Sequence, residues 1–445
     1  MRSKERVGLA IDKLVFTIKR RWPPPNHPGA GCQIEDLKVT DPFSPLQLGP
    51  ITMPNRFIRS GANEMMAHDC MPTRSLLEFH RRLAAGGVGM TTLAYIAVSR
   101  DGRTFEAQGV MSRDSMPHYR AVADAVHAEG GRISAQITHA GSFVQHKQLS
   151  TRRAMSASGG LDQLGVMMGR FFQHEMTTAD MAQVRDEFVA AAKLAREAGF
   201  DAVEIHMGHG YLLNQFISPL SNRRKDAYSG SAENRVRFPA EVAAVVKEAV
   251  GADMAVLSKI NLYDRARNGA TVEDAVITAK VLEAAGVDML VLSGGRNIES
   301  PWAIFNSPLP LDDMQALQPG LKSRLQFAML KALTPRSLRF SELYFLDSAR
   351  QVRAAVRCAL GYVGGVISAP AARKIMEEGF DAVVLARALV HDPALINRFR
   401  EDPQYRSACD ACNRCVAAMY TPSGTHCPKT GNALRVEWNR IPAGA

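Results

Sequence analysis

Several features are missing from this 445-residue sequence, and each absence excludes a class of protein. No run of about 18 uninterrupted apolar residues occurs, so no segment is predicted to cross a membrane as a helix. No glycine-rich dinucleotide fingerprint follows an early strand, which disfavours a doubly wound open sheet. No basic patch interleaved with aromatic residues lies beyond the N-terminal tail, so nucleic acid is not an expected partner.

Cysteine is also scarce, with seven residues in the whole chain. Four of them crowd into residues 409–427, unlike the distributed cysteines of a secreted disulfide framework. We therefore expect a reducing, cytoplasmic compartment, and membrane association or organelle targeting through the N-terminal tail are the alternatives. Hydrophobic residues at 46% and charged residues at 22% are ordinary for a globular protein.

The net charge of +10 is concentrated at the N-terminus. Residues 1–22 carry seven basic and two acidic side chains, and Ile11, Leu14 and Ile18 recur among them at helical spacing. This pattern is typical of a helix that touches a membrane surface or targets an organelle, and also of a docking helix or a frayed tail. Prolines then end any helix, so residues 1–42 are predicted to form a basic amphipathic extension and linker.

The body of the chain alternates short apolar strands with helical segments. In AREAGFDAVEIH, LEAAGVDMLVLSGG and MEEGFDAVVLAR, a helix ends at Gly and an apolar strand begins after Asp. About eight such βα units predict an α/β fold, a (β/α)8 TIM barrel over residues 43–405, followed by a Cys-rich segment over residues 406–445. The predicted strands lie around 56–61, 89–96, 132–138, 201–206, 254–260, 288–293, 360–365 and 382–386. The predicted helices lie near 74–86, 114–130, 178–199, 231–250, 271–286, 340–356 and 370–378.

The chemistry of such a barrel sits at the C-terminal ends of its strands. The third strand ends near Gln136, the fourth in HMGHGY and the fifth at Lys259. Gly364 and Gly365 after the seventh strand, with Arg387 after the eighth, are typical of a phosphate cradle, although the glycines alone also suit a tight turn. Together these residues predict a site for a phosphate-bearing cofactor with polar groups over its ring.

The chain resembles the old yellow enzyme family of FMN-dependent ene-reductases, which are related to the barrel domains of 2,4-dienoyl-CoA reductase and trimethylamine dehydrogenase. The resemblance runs from about Phe43 to Cys427 and rests on SPLQLGPITMPNRFIRS, QITHAG, EIHMGHGYLLNQFISPLSNRRKDAYSGSAENRVRF, VGGVIS and ARALVHDP. It implies an enzyme that uses FMN and NAD(P)H to reduce the C=C bond of an α,β-unsaturated carbonyl or similarly activated small molecule. A demethylase or amine dehydrogenase-like oxidoreductase on the same barrel is the alternative.

The resemblance also implies three catalytic residues. His206 and His209 are expected to bind the carbonyl oxygen of the substrate, on which negative charge develops after hydride transfer from flavin N5. Tyr211 is expected to deliver the proton, since a phenol with a reference pKa near ~10 is protonated at working pH. The alternative is that the two histidines are structural and that the segment only begins a helix.

Several cofactor contacts follow from the same resemblance. Asn63 stands near the flavin carbonyl edge, where the family commonly has Thr or Cys, and so tunes the potential. Lys259 stands where many members carry Arg near flavin N1, and Ala386 replaces the usual glycine at the phosphate. The implied cofactor-binding residues are Asn63, Gln136, Lys259, Gly364, Gly365, Ala386 and Arg387.

The four clustered cysteines form a C-x2-C-x2-C-x11-C pattern made of Cys409, Cys412, Cys415 and Cys427. Four thiolates suit an iron–sulfur cluster such as 4Fe-4S, or a structural zinc. The pattern is similar to the cluster motif of the two larger relatives, which have one more residue between the second and third cysteines and continue into further redox domains. Free or redox-active thiols are therefore the alternative.

A long loop after the sixth strand, roughly residues 296–340, contains the basic amphipathic stretch GLKSRLQFAMLKAL. We expect a short helix there, which roofs the substrate pocket, touches lipid or simply packs on the barrel. The sequence does not specify the substrate, the choice between NADH and NADPH, or the oligomeric state.

Overall fold

In the computed structural model, the described residues are 40–317, 320–335 and 338–434. The helix predicted within residues 1–22 lies outside this part of the chain, as does the end of the Cys-rich segment. No helix in the described part is long and apolar enough to cross a membrane.

Eight parallel strands close into a barrel with helices between them, which confirms the predicted (β/α)8 TIM barrel. Closure occurs where the eighth strand pairs with the first, Val384 opposite Ile58. In chain order the barrel strands are Phe57–Arg59, Met90–Ala97, Arg132–Thr138, Ala202–Met207, Ala255–Asn261, Met289–Ser293, Ala359–Val363 and Ala382–Leu385.

The barrel strands are apolar along most of their length because helices cover one face and the barrel interior covers the other. All residues of the second and fourth strands are buried. The inner layer includes Leu257 and Val291, and a hairpin formed by Leu46–Leu48 and Ile51–Met53 adds to the same layer. Since this hairpin precedes the first strand, it covers the end of the barrel opposite the predicted site.

Helices connect the strands on the outside, close to the predicted positions. Thr177 and Asp180 form a capping box at the start of the helix Thr178–Glu197, which connects the third strand to the fourth. The helix predicted over residues 340–356 begins only at Leu346, because the residues before it turn inward against the seventh-strand glycines. The crossover helices are Arg74–Ala85, Met116–Ala128, Thr178–Glu197, Ala232–Val250, Val272–Ala284, Leu346–Arg353 and Ala369–Glu377.

Extra elements follow several strands at the mouth of the barrel. The third strand leads into a small sheet of Met155–Ser156, Gly160–Leu161 and Phe172–Glu175. The amphipathic stretch after the sixth strand forms the helix Leu321–Leu333, as predicted. The remaining mouth elements are the hairpin Ala67–His68 with Met71–Pro72, the 3-10 turn Gly165–Met168, and the helices Leu212–Ile217, Pro301–Phe305, Leu311–Ala316, Arg387–His391 and Arg414–Ala418. The last barrel helix, Leu395–Glu401, bonds the Ala85 and Gly86 carbonyls through Asn397, just before the second strand.

Candidate active site

The end of the fourth strand brings the three predicted catalytic residues together. His209 and Gly210 both have positive φ, +59° and +88°, which turns the chain sharply between His206 and the helix that begins after Tyr211. The ring centroids of His206 and His209 lie 5.0 Å apart, and those of His206 and Tyr211 lie 4.6 Å apart. One short turn therefore places two imidazole rings and a phenol ring side by side at the end of the fourth strand.

Both imidazoles are held in the neutral form. Burial lowers the pKa of His206 well below its usual value, and it lowers the pKa of His209 to about 3, with the charge of Lys259 adding to both effects. The Gly208 N–H donates to His206 Nδ1 at 3.3 Å, so the ring proton lies on Nε2. His209 Nε2 shares a 2.8 Å hydrogen bond with the Ser293 hydroxyl from the sixth strand. Near pH 7, His206 thus offers a neutral Nε2–H, and His209 offers a neutral Nδ1–H when the Ser293 hydroxyl donates to its Nε2.

Tyr211 is buried and is held between two aromatic rings. Tyr95 and Phe143 lie edge-on to it, with ring centroids at 5.2 and 5.5 Å. Burial raises the pKa of the Tyr211 phenol, while the nearby side chains of Tyr95 and Asn297 lower it by a smaller amount. The phenol is consequently protonated across the physiological pH range.

A buried ion pair lies behind this turn. Lys259 Nζ donates to Glu204 Oε1 at 2.9 Å, and Gln136 Nε2 donates to the same carboxylate oxygen at 2.6 Å. Lys259 also donates to Ser60 Oγ at 3.2 Å and to the Gly61 carbonyl at 3.1 Å, so its three N–H groups all have protein partners. Burial lowers the pKa of Lys259, and the Glu204 carboxylate opposes that shift.

A second buried pair, which the sequence analysis missed, supports the end of the first strand. Arg59 Nη1 lies 2.5 Å from Glu64 Oε1, and both side chains are almost completely buried. The Ala94 N–H donates to Glu64, and His80 lies 3.5 Å from the same carboxylate. The signal was visible in the sequence, because a charged residue inside an apolar strand requires a buried partner. Glu204, also missed, gives the same signal.

Asn63 lies in the chain between Gly61, which bonds Lys259, and Glu64, which pairs with Arg59, and its side-chain amide nitrogen is unpartnered in the described part of the chain. Its Oδ1 accepts the Met65 N–H at 3.0 Å. Its Nδ2 is buried and has no hydrogen-bond partner among the described residues. A buried amide without a partner costs free energy unless a ligand satisfies it. This orphaned donor therefore fits the polar edge of a flavin ring.

The seventh and eighth strands end in the predicted phosphate cradle. Gly364 and Gly365 have φ of +153° and +78°. A Cβ on Gly365 would lie 2.8 Å from the Ser341 carbonyl oxygen, so both the backbone conformation and the close packing require glycine. Ala386 stands at the start of the short helix Arg387–His391. The backbone N–H groups at the ends of the seventh and eighth strands are suitable donors for a phosphate group.

Arg387 is fixed by residues from two distant segments. Its Nη1 donates to Ser307 Oγ at 2.8 Å and to Asn413 Oδ1 at 2.7 Å, and its Nη2 donates to the Phe305 carbonyl at 3.0 Å. A guanidinium carries more N–H donors than these bonds use, so donors remain for a phosphate oxygen.

The clustered cysteines lie beside Arg387. Burial raises the pKa of Cys409, and it raises the pKa of Cys415 to about 12, while the Arg387 charge opposes both shifts. Cys427 Sγ lies 3.4 Å from His391 Nδ1. No group of three or more His, Cys, Asp or Glu side chains in residues 40–317, 320–335 and 338–434 is arranged to hold a metal ion. The iron–sulfur cluster stays a prediction, which iron and zinc analysis of the purified protein would test.

A (β/α)8 barrel with a His-His-Tyr group at one strand end and paired glycines with an arginine at another is typical of one class of flavin-dependent oxidoreductase. The chain belongs to the NADH:flavin oxidoreductase / NADH oxidase family, which matches residues 41–301. It is therefore an FMN-dependent NAD(P)H oxidoreductase related to old yellow enzyme.

Similar proteins cover most of the chain. A 4,4'-dithiodibutanoate disulfide reductase from Rhodococcus erythropolis is 36% identical over 389 residues, which are 86% of this chain and 94% of the relative. A metal reductase from Desulforamulus reducens is 28% identical over 397 residues, 88% of this chain and 54% of the relative, so the chain spans about half the length of that protein. Morphinone reductase shares the fold, with a TM-score of 0.66 and 23% identity over 84% of this chain and 93% of its own.

Proposed function

We propose that this oxidoreductase reduces the C=C bond of α,β-unsaturated carbonyl or similarly activated compounds. The observation that carries the proposal is the position of the His206 ring between two partners at a single turn: its centroid lies 5.0 Å from that of His209 and 4.6 Å from that of Tyr211. Two neutral N–H donors and a protonated phenol are the groups that such a reduction requires on the protein side.

Each of these side chains has a distinct task in the proposed reaction. When bound, FMN would supply the hydride that the β-carbon of the acceptor receives. Negative charge then develops on the carbonyl oxygen, where N–H groups of His206 and His209 stabilise it without changing their own charge. Tyr211 protonates the α-carbon, and its raised pKa keeps the proton available at every physiological pH.

We propose that the buried residues behind the turn hold the flavin. The unpartnered Nδ2 of Asn63 would donate to the ring edge, and Gln136, which is fixed by its bond to Glu204, would contact the pyrimidine edge. Lys259 acts through its charge, because its N–H groups already bond Ser60, Gly61 and Glu204. The phosphate is assigned to backbone and side-chain donors of Gly364, Gly365, Ala386 and Arg387.

Tyr211→Phe tests the assignment of the proton donor. We expect reoxidation of the reduced protein by 2-cyclohexenone to slow by about 10²–10³-fold, while reduction by NADPH changes less than about twofold. Tyr228→Phe is the matched control, since its hydroxyl bonds Glu241 in the crossover helix Ala232–Val250 and none of the three proposed catalytic residues. Equal slowing of both half-reactions in Tyr211→Phe would overturn the assignment.

Reduction of an organic disulfide is the second candidate function, and it is favoured by the similarity to the 4,4'-dithiodibutanoate disulfide reductase. Hydride would add to one sulfur, the other would leave as a thiolate, and Tyr211 would protonate that thiolate. Oxidation of a methylated amine is the remaining hypothesis. Neutral histidines favour an oxygen that becomes anionic over an amine, and a turnover screen of enones, disulfides and methylated amines separates the three.

A further inference from the structure

The Cys-rich segment contacts the predicted flavin site at both of its ends. Asn413 bonds Arg387, the predicted phosphate ligand, and Thr425 bonds Asn63, the predicted ring ligand. Thr425 and Asn63 are 362 positions apart in the chain, so no local pattern connects them.

At the phosphate end, the amide of Asn413 holds two groups at once. Asn413 is 1% exposed and has a φ of +60°, a left-handed conformation that Asn tolerates better than most residues. Its Oδ1 accepts from Arg387 Nη1 at 2.7 Å. Its Nδ2 donates to Ser307 Oγ at 2.8 Å and to the Pro308 carbonyl at 2.7 Å. One side chain therefore fixes the guanidinium and the loop against which it packs.

At the ring end, the segment runs along the residues that follow the first strand. The Thr425 N–H donates to the Glu64 carbonyl at 2.7 Å, and its hydroxyl donates to the Asn63 carbonyl at 2.8 Å. A Cβ on Gly424 would lie 2.7 Å from the Glu64 carbonyl oxygen, so only glycine permits this approach. The backbone of Asn63, and with it the unpartnered Nδ2, is thereby fixed from outside the barrel.

We propose that Asn413 and Thr425 are positioning residues for FMN, and that docking of the Cys-rich segment is thermodynamically coupled to FMN binding. The inference rests on the proposed flavin-binding roles of Asn63 and Arg387. Removing either contact increases the mobility of the ligand-facing residue, although Arg387 keeps its bonds to Ser307 and Phe305. Part of the cost of ordering that residue is then added to the cost of binding FMN. Coupling is reciprocal, so FMN in turn stabilises the docked segment and shields its thiols.

The first measurement is the dissociation constant of FMN for the apoprotein, from quenching of flavin fluorescence. Asn413→Gly keeps the left-handed backbone and removes the amide, and we expect it to weaken FMN binding by about tenfold. Lys429→Ala is the matched control, because it removes an exposed ion pair with Asp410 in the same segment and touches neither flavin residue. We expect the control to bind FMN within about twofold of the wild type.

The second measurement is the rate at which a thiol reagent labels the four cysteines of the segment, of which Cys412 is exposed. We expect FMN to slow labelling in the wild type and in Lys429→Ala, and to have a smaller effect in Asn413→Gly. If Asn413→Gly does not fold, Thr425→Val with the same two readouts decides the question. Unchanged FMN affinity in a folded Asn413→Gly or Thr425→Val, or labelling rates that FMN does not alter, would overturn the coupling. Neither readout uses an acceptor, so failure of the ene-reductase proposal would leave this test intact.

Discussion

The two ends of the proposed flavin site are built from the sequence in opposite ways. At the reaction end, His206, His209 and Tyr211 come from one stretch, and a positive-φ turn within that stretch aligns them. At the phosphate end, Arg387 depends on Ser307, 80 positions earlier, and on residue 413, 26 positions later. The reaction end is therefore a local motif on a strand, whereas the phosphate end is assembled by packing of separate segments. Substitutions far from Arg387 can consequently disturb FMN binding, while the reaction end is disturbed mainly by changes to its own few partners.

The buried pair between the two ends gives the largest expected effect. Lys259→Met leaves the Glu204 carboxylate buried without its cation, and we expect a loss of about 3 kcal/mol in the free energy of unfolding. The measurement is urea denaturation of the apoprotein. Lys374→Met, which breaks only exposed pairs with Glu377 and Glu378, is the control and is expected to change stability very little.

Adding Glu204→Gln to Lys259→Met removes the unpaired charge and is expected to recover part of the lost stability. If Lys259→Met alone is as stable as the wild type, the pair does not support the barrel. In that case the local motif at the reaction end does not depend on the buried pair behind it.

The neutral histidines predict a dependence of stability on pH. The pKa of His209 is lowered to about 3 in the folded protein, so the unfolded chain, with a pKa near ~6.5, binds more protons as pH falls. The stability that His209 contributes is complete above about pH 6.5 and is lost progressively toward pH 3. When the pH falls from 7 to 5, we expect the free energy of unfolding to decrease by about 2 kcal/mol less in His209→Asn than in the wild type.

Urea denaturation midpoints of the two proteins, measured at several pH values, check this prediction. Asn is the chosen substitution because it tolerates the positive φ of residue 209. Parallel pH curves for wild type and His209→Asn would mean that His209 is charged or exposed. Such a result would weaken its role as a neutral donor to the substrate.

The smallest expected effect concerns the partner of His209. Ser293→Ala removes the hydroxyl bonded to His209 Nε2, and we expect KM for an enone to rise by about threefold to fivefold with kcat within about twofold. Steady-state kinetics with 2-cyclohexenone measure both constants. Ser231→Ala removes a helix cap on the outside of the barrel and should leave both unchanged. A drop in kcat alone would assign Ser293 to the chemical step instead of positioning.

The sequence predicted the structural features that depend on local patterns, namely the barrel strands and the grouping of side chains at one strand end. Gly followed by Asp marks the helix-to-strand steps of the barrel, and the spacing of His206, His209 and Tyr211 predicts a shared strand end. The helix predicted from residue 340 was wrong at its start, because Tyr344 packs on Gly365 and so leaves the helical path.

Hydrogen bonds between residues far apart in the sequence could not be predicted from local patterns. Asn413 and Thr425 carry no signal of the residues they bond, since only the folded chain brings them to Arg387 and Asn63. Glu204, by contrast, could have been predicted from the sequence. A carboxylate inside an apolar strand requires a buried cation, and Lys259 in the neighbouring strand is that cation.

The most direct test of the proposed function compares acceptors with the same reduced protein. The FMN-loaded wild type is reduced anaerobically by NADPH, and its reoxidation is followed by stopped-flow absorbance with 2-cyclohexenone or with a dialkyl disulfide. We predict that reoxidation by the enone is at least about tenfold faster, because in the proposed reaction His206 and His209 stabilise an anionic oxygen that a disulfide lacks. Reoxidation by the disulfide at an equal or greater rate would contradict the ene-reductase proposal and favour disulfide reduction instead.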